Sequence, residues 1–169
     1  LLLKMWLLGL VMAVSITLVF CYYVLPGVQS RVFNERRAEL KSSVVMVLGV
    51  LDSIHAMEDA GMLSTAEAQS YALAELDKLR HGEDGDGTFW VSDYQPVRLV
   101  DPTVPELINS NVGDITGADG EPVFVEMAQL CRSRGGGVYD FQWRYAPGGS
   151  REMLSYVAAY EPWGWVVGT

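Results

Sequence analysis

The sequence contains few cysteines. Among its 169 residues only Cys21 and Cys131 are of this type. Cys21 lies in a long apolar run and Cys131 lies far along the polar part of the chain, so we expect no disulfide between them. Cys131 shares a predicted helical face with Phe124 and Met127, which indicates a small buried side chain. The fold must therefore depend on an apolar core.

Positive charge is also scarce. The chain has 12 Lys and Arg residues against 21 Asp and Glu residues, which gives a formal net charge of −9. Nucleic acids and anionic lipid headgroups are bound by surfaces rich in Lys and Arg. We therefore expect no nucleic-acid partner and no electrostatic docking on a lipid surface.

Motifs for catalysis or metal binding are missing. The sequence has no Gly-x-Ser-x-Gly, no phosphate-binding loop and no His-Glu-x-x-His. The two histidines, His55 and His81, have no cysteine nearby, so no zinc site is expected. The acidic segment 83–87 lacks the distant Glu of a calcium loop and is predicted to be a polar turn. We predict that the protein is not an enzyme and carries no metal and no cofactor.

Charge is absent from residues 5–30. At about 1.5 Å per residue, a helix over residues 5–25 is about 30 Å long, which matches the hydrocarbon core of a bilayer. Trp6 near one end and Tyr22 and Tyr23 near the other are typical of residues at the two membrane interfaces. We therefore predict a transmembrane helix over residues 5–25.

The four residues before this helix are predicted to form a cytoplasmic flank, because Lys4 favours the inner side. The alternative interpretation is a cleaved signal peptide, with Val28-Gln29-Ser30 as its cleavage site. The apolar run is longer than that of a usual signal peptide, which favours the membrane helix.

Residues 26–60 are predicted to form a long juxtamembrane helix. Pro26-Gly27 could kink it where it leaves the membrane. Beyond that point apolar residues recur at three- and four-residue spacing, typical of one helix face: Leu40, Val44, Val47, Leu48, Leu51 and Ile54. This stripe can pack on its own domain, form the seam of a homodimer, or do both, because it is broader than a coiled-coil seam.

Residues 61–169 are predicted to form an α+β core. Ser64 and Glu67 fit a capping box that starts a second helix. Alternating patterns and turn residues predict strands at Thr88–Asp93, Val97–Asp101, Val138–Tyr145, Glu152–Tyr160 and Trp165–Gly168, and a third helix at Pro122–Arg134. Short turns between the last strands indicate an antiparallel sheet of about five strands. The long helix can cover one face; the third helix and a long loop can cover the other, leaving a concave space suited to a small ligand.

Three stretches of this core carry a family likeness: Asp86-Gly87-Thr88-Phe89-Trp90-Val91, Leu154-Ser155-Tyr156-Val157 and Pro162-Trp163-Gly164-Trp165-Val166-Val167-Gly168-Thr169. They resemble a single Cache domain of the Cache_2 kind, the extracytoplasmic sensor of bacterial chemoreceptors, histidine kinases and cyclases. The resemblance covers about residues 31–169. It implies a PAS-like fold on the periplasmic side of the bacterial inner membrane, in a chain expected to stop before the family's second transmembrane helix.

The resemblance also implies a ligand and a homodimer. The ligand of such domains is a small organic molecule, often a short carboxylate. The family's pocket lies between the sheet and the segments after the second strand, and the matching positions are Phe89, Trp90, Trp143 and Tyr156. The alternative for Trp90, Trp143 and Tyr156 is plain core packing, because one sheet face must serve as core in a domain this small.

Three positions depart from the family's pattern. Thr88 stands where Tyr often starts the first strand, Asp101 where His often precedes Pro, and Met153 where Lys often precedes Leu-Ser-Tyr-Val. Compared with the family's pattern, the His and the Lys are missing and the acid Asp101 is added. The ligand could therefore carry an amine instead of a carboxylate.

Arg80 and Arg98 are the cations best suited to reach a ligand carboxylate near the sheet. For both, the alternative is an exposed or structural arginine, which is the default. Asp101 could bind a ligand amine or cap the following loop, and capping is the commoner role of Asp before a turn.

These observations predict a membrane-anchored sensor domain that binds a small molecule and relays a conformational change. The alternative is a protein-interaction or dimerisation ectodomain that senses a periplasmic partner. A fully packed core without a cavity would favour that alternative.

Overall fold

The computed structural model describes the backbone of residues 2–145 and 149–169, and the side chains of residues 5–6, 9–22, 31–143 and 149–169. The chain divides into two compact units, Leu1–Ala38 and Glu39–Thr169. The first unit is helical. It contains helix α1 (Leu2–Val19), a π-helical turn (Phe20–Val24) and the beginning of helix α2 (Leu25–Asp59).

The backbone stays helical through Pro26 and Gly27, where the sequence predicted a kink. A proline lacks an N–H group, and its ring crowds the carbonyl four residues earlier. That carbonyl belongs to Tyr22, which lies in the π-helical turn. Because a π-turn is wider than an α-turn, it can absorb such a misfit without ending the helix.

One stretch of the described helices, Arg31–Asp59, is long and apolar enough to cross a membrane, and Gly9–Tyr22 is a shorter apolar helix. Length and composition do not distinguish a membrane helix from the core helix of a soluble domain. In Arg31–Asp59 the side chains of Val44, Val47 and Leu51 are buried in the core of the second unit. This part of α2 is therefore a domain helix.

The second unit contains the sheet and two further helices. After α2 the elements follow in this order: helix α3 (Thr65–Leu76), strands β1 (Arg80–His81), β2 (Gly87–Thr88), β3 (Trp90–Asp93) and β4 (Arg98–Val100), a 3-10 turn (Pro105–Leu107), helix α4 (Val123–Arg134), strands β5 (Gly136–Tyr145) and β6 (Gly149–Tyr160), a 3-10 turn (Glu161–Trp163) and strand β7 (Trp165–Gly168). The predicted α+β fold with a five-stranded antiparallel sheet is confirmed.

The main sheet has the strand order β4-β3-β7-β6-β5. The chain's last strand, β7, is thus the central strand, with Trp90 opposite Gly168 on one side and Val157 opposite Gly168 on the other. The strands β1 and β2 form a separate two-stranded sheet that was not predicted. The predicted first strand is therefore interrupted at Phe89.

One face of the sheet packs on α2 and α3. Val44, Leu51 and Ile54 of α2 are buried there together with Leu76 of α3. The predicted capping box begins α3: Glu67 donates its backbone N–H to the Ser64 hydroxyl, and its carboxylate accepts from the Ser64 backbone N–H at 2.9 Å. These bonds satisfy donors that have no partner inside the helix.

The other face packs on α4. Met127 and Cys131 of α4 are buried against Val157 and Val166, and burial raises the pKa of the Cys131 thiol to about 12. The helix ends at Gly135, whose φ of 75° is a left-handed conformation that glycine adopts without strain. Helix α4 does not cover this whole face of the sheet. The loop after β4 covers the part beyond α4, and a cavity lies there.

Candidate functional site

The cavity has a volume of about 340 Å³ and lies between the α4 face of the sheet, the start of α4 and the loop after β4. Most of its wall is apolar or aromatic: Trp90, Val104, Leu107, Phe124, Met127, Phe141, Trp143, Met153 and Leu154. Its polar wall consists of Thr88, Arg98, Asp101, Thr103, Ser155 and Thr169. A mostly apolar pocket with a few placed polar groups is the usual form of a small-molecule site.

The aromatic wall is formed by rings in mutual contact. Trp90 and Phe124 meet edge to face with centroids 5.8 Å apart, and Phe124 meets Trp143 in the same way at 6.3 Å. Phe141 contacts Trp143 at 6.0 Å. Alternation along β5 places Phe141 and Trp143 on one face, as the sequence predicted.

Arg98 is the central charged group of this cavity. Its side chain is 1 % exposed, and its guanidinium carbon lies 4.5 Å from the Trp90 ring centroid and 4.3 Å from that of Phe124. Burial lowers the pKa of Arg98 to about 10, although the nearby Asp101 carboxylate opposes the shift. Rings on the faces of a guanidinium stabilise it by cation–π attraction and leave only its N–H edge for polar partners.

Two nitrogens of Arg98 lack a hydrogen bond. Nε lies 3.4 Å from Asp101 Oδ2, which is within ion-pair distance, but neither Nε nor Nη1 has a hydrogen-bond partner within the described structure. A buried donor without a partner costs free energy. The structure therefore holds a pre-formed cationic group that an anionic ligand could satisfy.

Asp101 caps the loop that closes the cavity. Its Oδ1 accepts hydrogen bonds from the backbone N–H groups of Thr103 at 3.1 Å and Val104 at 3.0 Å. The other oxygen faces Arg98. Asp101 therefore performs the capping role considered from the sequence and at the same time holds Arg98 in place.

The hydroxyl groups that line the cavity bond to each other or to the backbone. Thr88 and Thr103 share a hydrogen bond of 2.9 Å between their hydroxyls. Thr169 donates to the Thr88 carbonyl at 2.8 Å, and Ser155 donates to the Thr169 carbonyl at 2.7 Å. The Thr169 hydroxyl is also bonded to His81 Nε2. Because the hydroxyl proton goes to Thr88, His81 must be the donor in that bond.

The structure brings together four of the seven predicted site residues. Trp90, Arg98, Asp101 and Trp143 line the cavity. Phe89, Tyr156 and Arg80 lie outside the cavity.

Phe89 and Tyr156 lie on the opposite face of the sheet, in or against the α2 core. Arg80 is exposed and donates to the backbone carbonyls of Asp77 at 2.7 Å and Leu79 at 2.8 Å, at the end of α3. The sequence reasoning for these three is corrected: neighbours along a strand face opposite sides, and Arg80 satisfies helix-end carbonyls.

The sequence reasoning missed several lining residues. Phe124 and Met127 come from the first turns of α4, and Ser155 is the neighbour of Tyr156 on β6. The signal for Ser155 was present, since it alternates with Tyr156 and so had to face the other side. Leu107 comes from the loop, where no periodicity could identify it.

Comparison with known proteins identifies the family. The family model for single Cache domain 2 matches residues 32–169. The methyl-accepting chemotaxis protein McpP of Pseudomonas putida is 32% identical over 168 residues, which cover 98% of this chain and 30% of that protein. The sensor histidine kinase MctS of Rhizobium johnstonii is 30% identical over 142 residues, covering 83% of this chain and 30% of that protein. The chain thus spans under a third of the length of these curated relatives.

Two solved structures are similar to most of this chain. One is a Cache chemosensory domain described for carboxylic acid recognition, 33% identical with a TM-score of 0.71, covering 82% of this chain and 94% of that chain. The other is the periplasmic sensor domain of a chemotaxis protein, 34% identical with a TM-score of 0.74, covering 82% and 95%. The resemblance inferred from the sequence is confirmed.

Proposed function

The chain belongs to the single Cache domain 2 family, and from this membership we propose that it is the sensor part of a bacterial membrane receptor. In this proposal a small organic ligand binds in the cavity around Arg98, and no catalytic step is involved. The relatives include chemotaxis receptors and a sensor histidine kinase, so the output of the whole protein belongs to one of these classes.

The observation that carries the proposal is the buried, incompletely paired Arg98. Its guanidinium lines a cavity of about 340 Å³ and has a nitrogen, Nη1, without a hydrogen-bond partner. A carboxylate supplies two strong acceptors for such a donor. The cavity also disfavours the alternative of a protein-interaction ectodomain, for which we expected a fully packed core. We propose Trp90, Trp143 and Asp101 as further ligand-site residues.

The test is a ligand screen on the chain purified in detergent. Thermal shift and calorimetry with organic acids, amines and amino acids should reveal at least one stabilising organic acid, and Arg98→Met should abolish its binding. Arg80→Met is the matched control, because Arg80 is a cation of the same unit outside the cavity. Equal loss of binding in both variants, or no stabilising ligand at all, would contradict the proposal.

We further propose the domain organisation given by the sequence. Residues 5–25 cross the inner membrane after a short cytoplasmic flank, residues 26–60 form a juxtamembrane helix, and residues 61–169 form the periplasmic core. Alkaline phosphatase fused after Thr169 should be active, since that enzyme needs the periplasm. An N-terminal epitope tag retained on the fusion would separate this topology from a cleaved signal peptide.

We also propose that the sensor is a homodimer formed along α2. The face of α2 opposite the core carries small and apolar exposed residues: Ser42, Val45, Met46, Gly49, Val50 and Ser53. Ser42, Met46, Gly49 and Ser53 follow the four-three-four spacing of a coiled-coil seam, and Gly49 has open space where a side chain would start.

Disulfide trapping tests this interface. In a Cys21→Ser background, Gly49→Cys should form an intermolecular disulfide, because the Cα atoms of facing seam residues lie within the roughly 4–7 Å that a disulfide spans. Ser70→Cys, an exposed position on α3, is the control and should remain unlinked. Equal cross-linking at both positions would indicate random collision.

A further inference from the structure

We propose that the cavity selects an acid with a single carboxylate and a bulky apolar body, in preference to short acids and to dicarboxylates. This inference rests on the proposed function, since it names the ligand class of the same site. It follows from the polar groups that are already paired and from the volume and lining of the cavity.

The polar lining offers one unpaired charged group. The hydroxyls of Thr88, Thr103, Ser155 and Thr169 all take part in bonds within the protein. Among the described lining side chains, only Arg98 has buried nitrogens without a hydrogen-bond partner. One anionic group of a ligand can therefore be satisfied without breaking existing bonds.

A second charged group has no suitable partner. Among the lining residues that the structure describes, Arg98 is the one cation and Asp101 the one acid, and the Asp101 carboxylate would repel a second anion. A ligand amine is no better placed, because Asp101 Oδ1 already accepts two backbone N–H groups and Oδ2 faces Arg98. The remaining wall is apolar, and a charge against it would lose hydration without compensation.

The volume favours a larger body. With roughly 30 Å³ for each water-sized group, the cavity of about 340 Å³ holds roughly eleven non-hydrogen atoms. Acetate or propionate would fill less than half of this space. The remaining space beside Phe141, Trp143 and Leu107 would then hold water or stay empty. Filling it with apolar groups of a larger ligand is favourable, because those groups are removed from water.

A chain-length series measures this preference. Calorimetry on the detergent-purified chain should compare acetate, butyrate, hexanoate, phenylacetate, succinate and hexanamide. Each added methylene should tighten binding about threefold to fourfold, so hexanoate should bind roughly 100-fold more tightly than acetate. Succinate and hexanamide should bind at least tenfold more weakly than hexanoate, since one adds an anion and the other removes the charge.

Each outcome decides a different point. Acetate binding as tightly as hexanoate overturns the size inference and leaves the proposed function standing. Succinate matching hexanoate overturns the single-charge inference in the same way. If hexanamide binds as well as hexanoate, or if only amines bind, Arg98 is not the recognition group and both proposals fail.

A cavity-filling variant tests the same idea from the protein side. Leu107→Trp adds bulk from the loop, where repacking is easier than in the sheet, and Leu107→Met keeps the volume. The Trp variant should weaken hexanoate at least tenfold and change acetate by less than about twofold, whereas the Met variant should change neither by more than about threefold. An equal loss for both acids with the Trp variant would show a general loss of the site and refute the inference.

Discussion

Replacing Arg98 with Met should abolish ligand binding while costing the unliganded protein little stability. The pKa of Arg98 falls from the usual 12.5 to about 10 because of burial. At about 1.4 kcal/mol for each tenfold change, this depression corresponds to about 3 kcal/mol by which the buried charge disfavours the fold. Because the folded pKa is the lower one, the penalty is complete below pH 10 and disappears as the pH rises toward the unfolded value.

Methionine recovers only part of that free energy. It keeps the apolar contacts with Trp90 and Phe124 but loses two cation–π contacts, each worth about 0.5–2 kcal/mol, with desolvated contacts at the upper end. Asp101 remains bonded to the backbone N–H groups of Thr103 and Val104, so its carboxylate keeps two hydrogen bonds when the arginine is removed. The expected net effect at pH 7.5 therefore lies between a loss of about 1 kcal/mol and a gain of about 2 kcal/mol in the free energy of unfolding.

Asp101→Asn should destabilise the fold clearly. It leaves the Arg98 charge without its carboxylate partner, and breaking a buried pair from one side costs about 3–5 kcal/mol. Urea unfolding followed by tryptophan fluorescence gives both values, and wild type should gain stability relative to Arg98→Met above pH 10, where the buried charge is lost. A loss of more than about 1 kcal/mol in Arg98→Met would refute the reasoning, because Arg98 would then stabilise the fold without a ligand.

Other positions allow simpler tests. A Cβ on Gly168 would lie 2.2 Å from the Trp90 indole, so Gly168→Ala should lower the free energy of unfolding by about 1–3 kcal/mol and weaken ligand binding, whereas Gly149→Ala, with open space around it, should change neither. Ser64→Ala should cost about 1 kcal/mol through the lost capping box, against little change for the exposed Ser70→Ala; equal urea midpoints would contradict this. Hydrogen bonds from Thr65, which has the larger effect, and from Trp163 lower the pKa of Glu58. The ionised Glu58 therefore stabilises the fold above the usual Glu pKa, and this stabilisation is lost as the pH falls. Glu58→Gln should therefore be less stable than wild type at pH 7 and equal to it near pH 3, and a constant difference would be the contrary result.

Local signals gave the most accurate sequence predictions. The α3 start depended only on Ser64 and Glu67, which are three residues apart and bond to each other in the structure. The faces of β5 followed from simple alternation. Where two or three neighbouring side chains determine the geometry, the chain carries enough information to place them.

The site itself could be predicted only in part. A motif containing both Phe89 and Trp90 cannot show which of the two faces the cavity. Pairing with β7 decides this, because Gly168 has no side chain and leaves room for the Trp90 indole. The sequence predicts Arg98 as a ligand-binding cation with an exposed or structural arginine as the alternative, and it does not predict that Trp90 and Phe124 from other elements enclose it. Such burial depends on contacts between distant segments, which no local pattern contains.

The central position of β7 has a consequence for how the domain acquires its fold. The β3–β4 and β5–β6 pairs join neighbours along the chain and can form early, but they share no edge until β7 lies between them. Pairings between segments so distant in sequence slow folding. During synthesis both half-sheets keep open edges until the residues of β7 have left the ribosome. Their exposed edges are then the points where a chaperone could protect the chain or where aggregation could start.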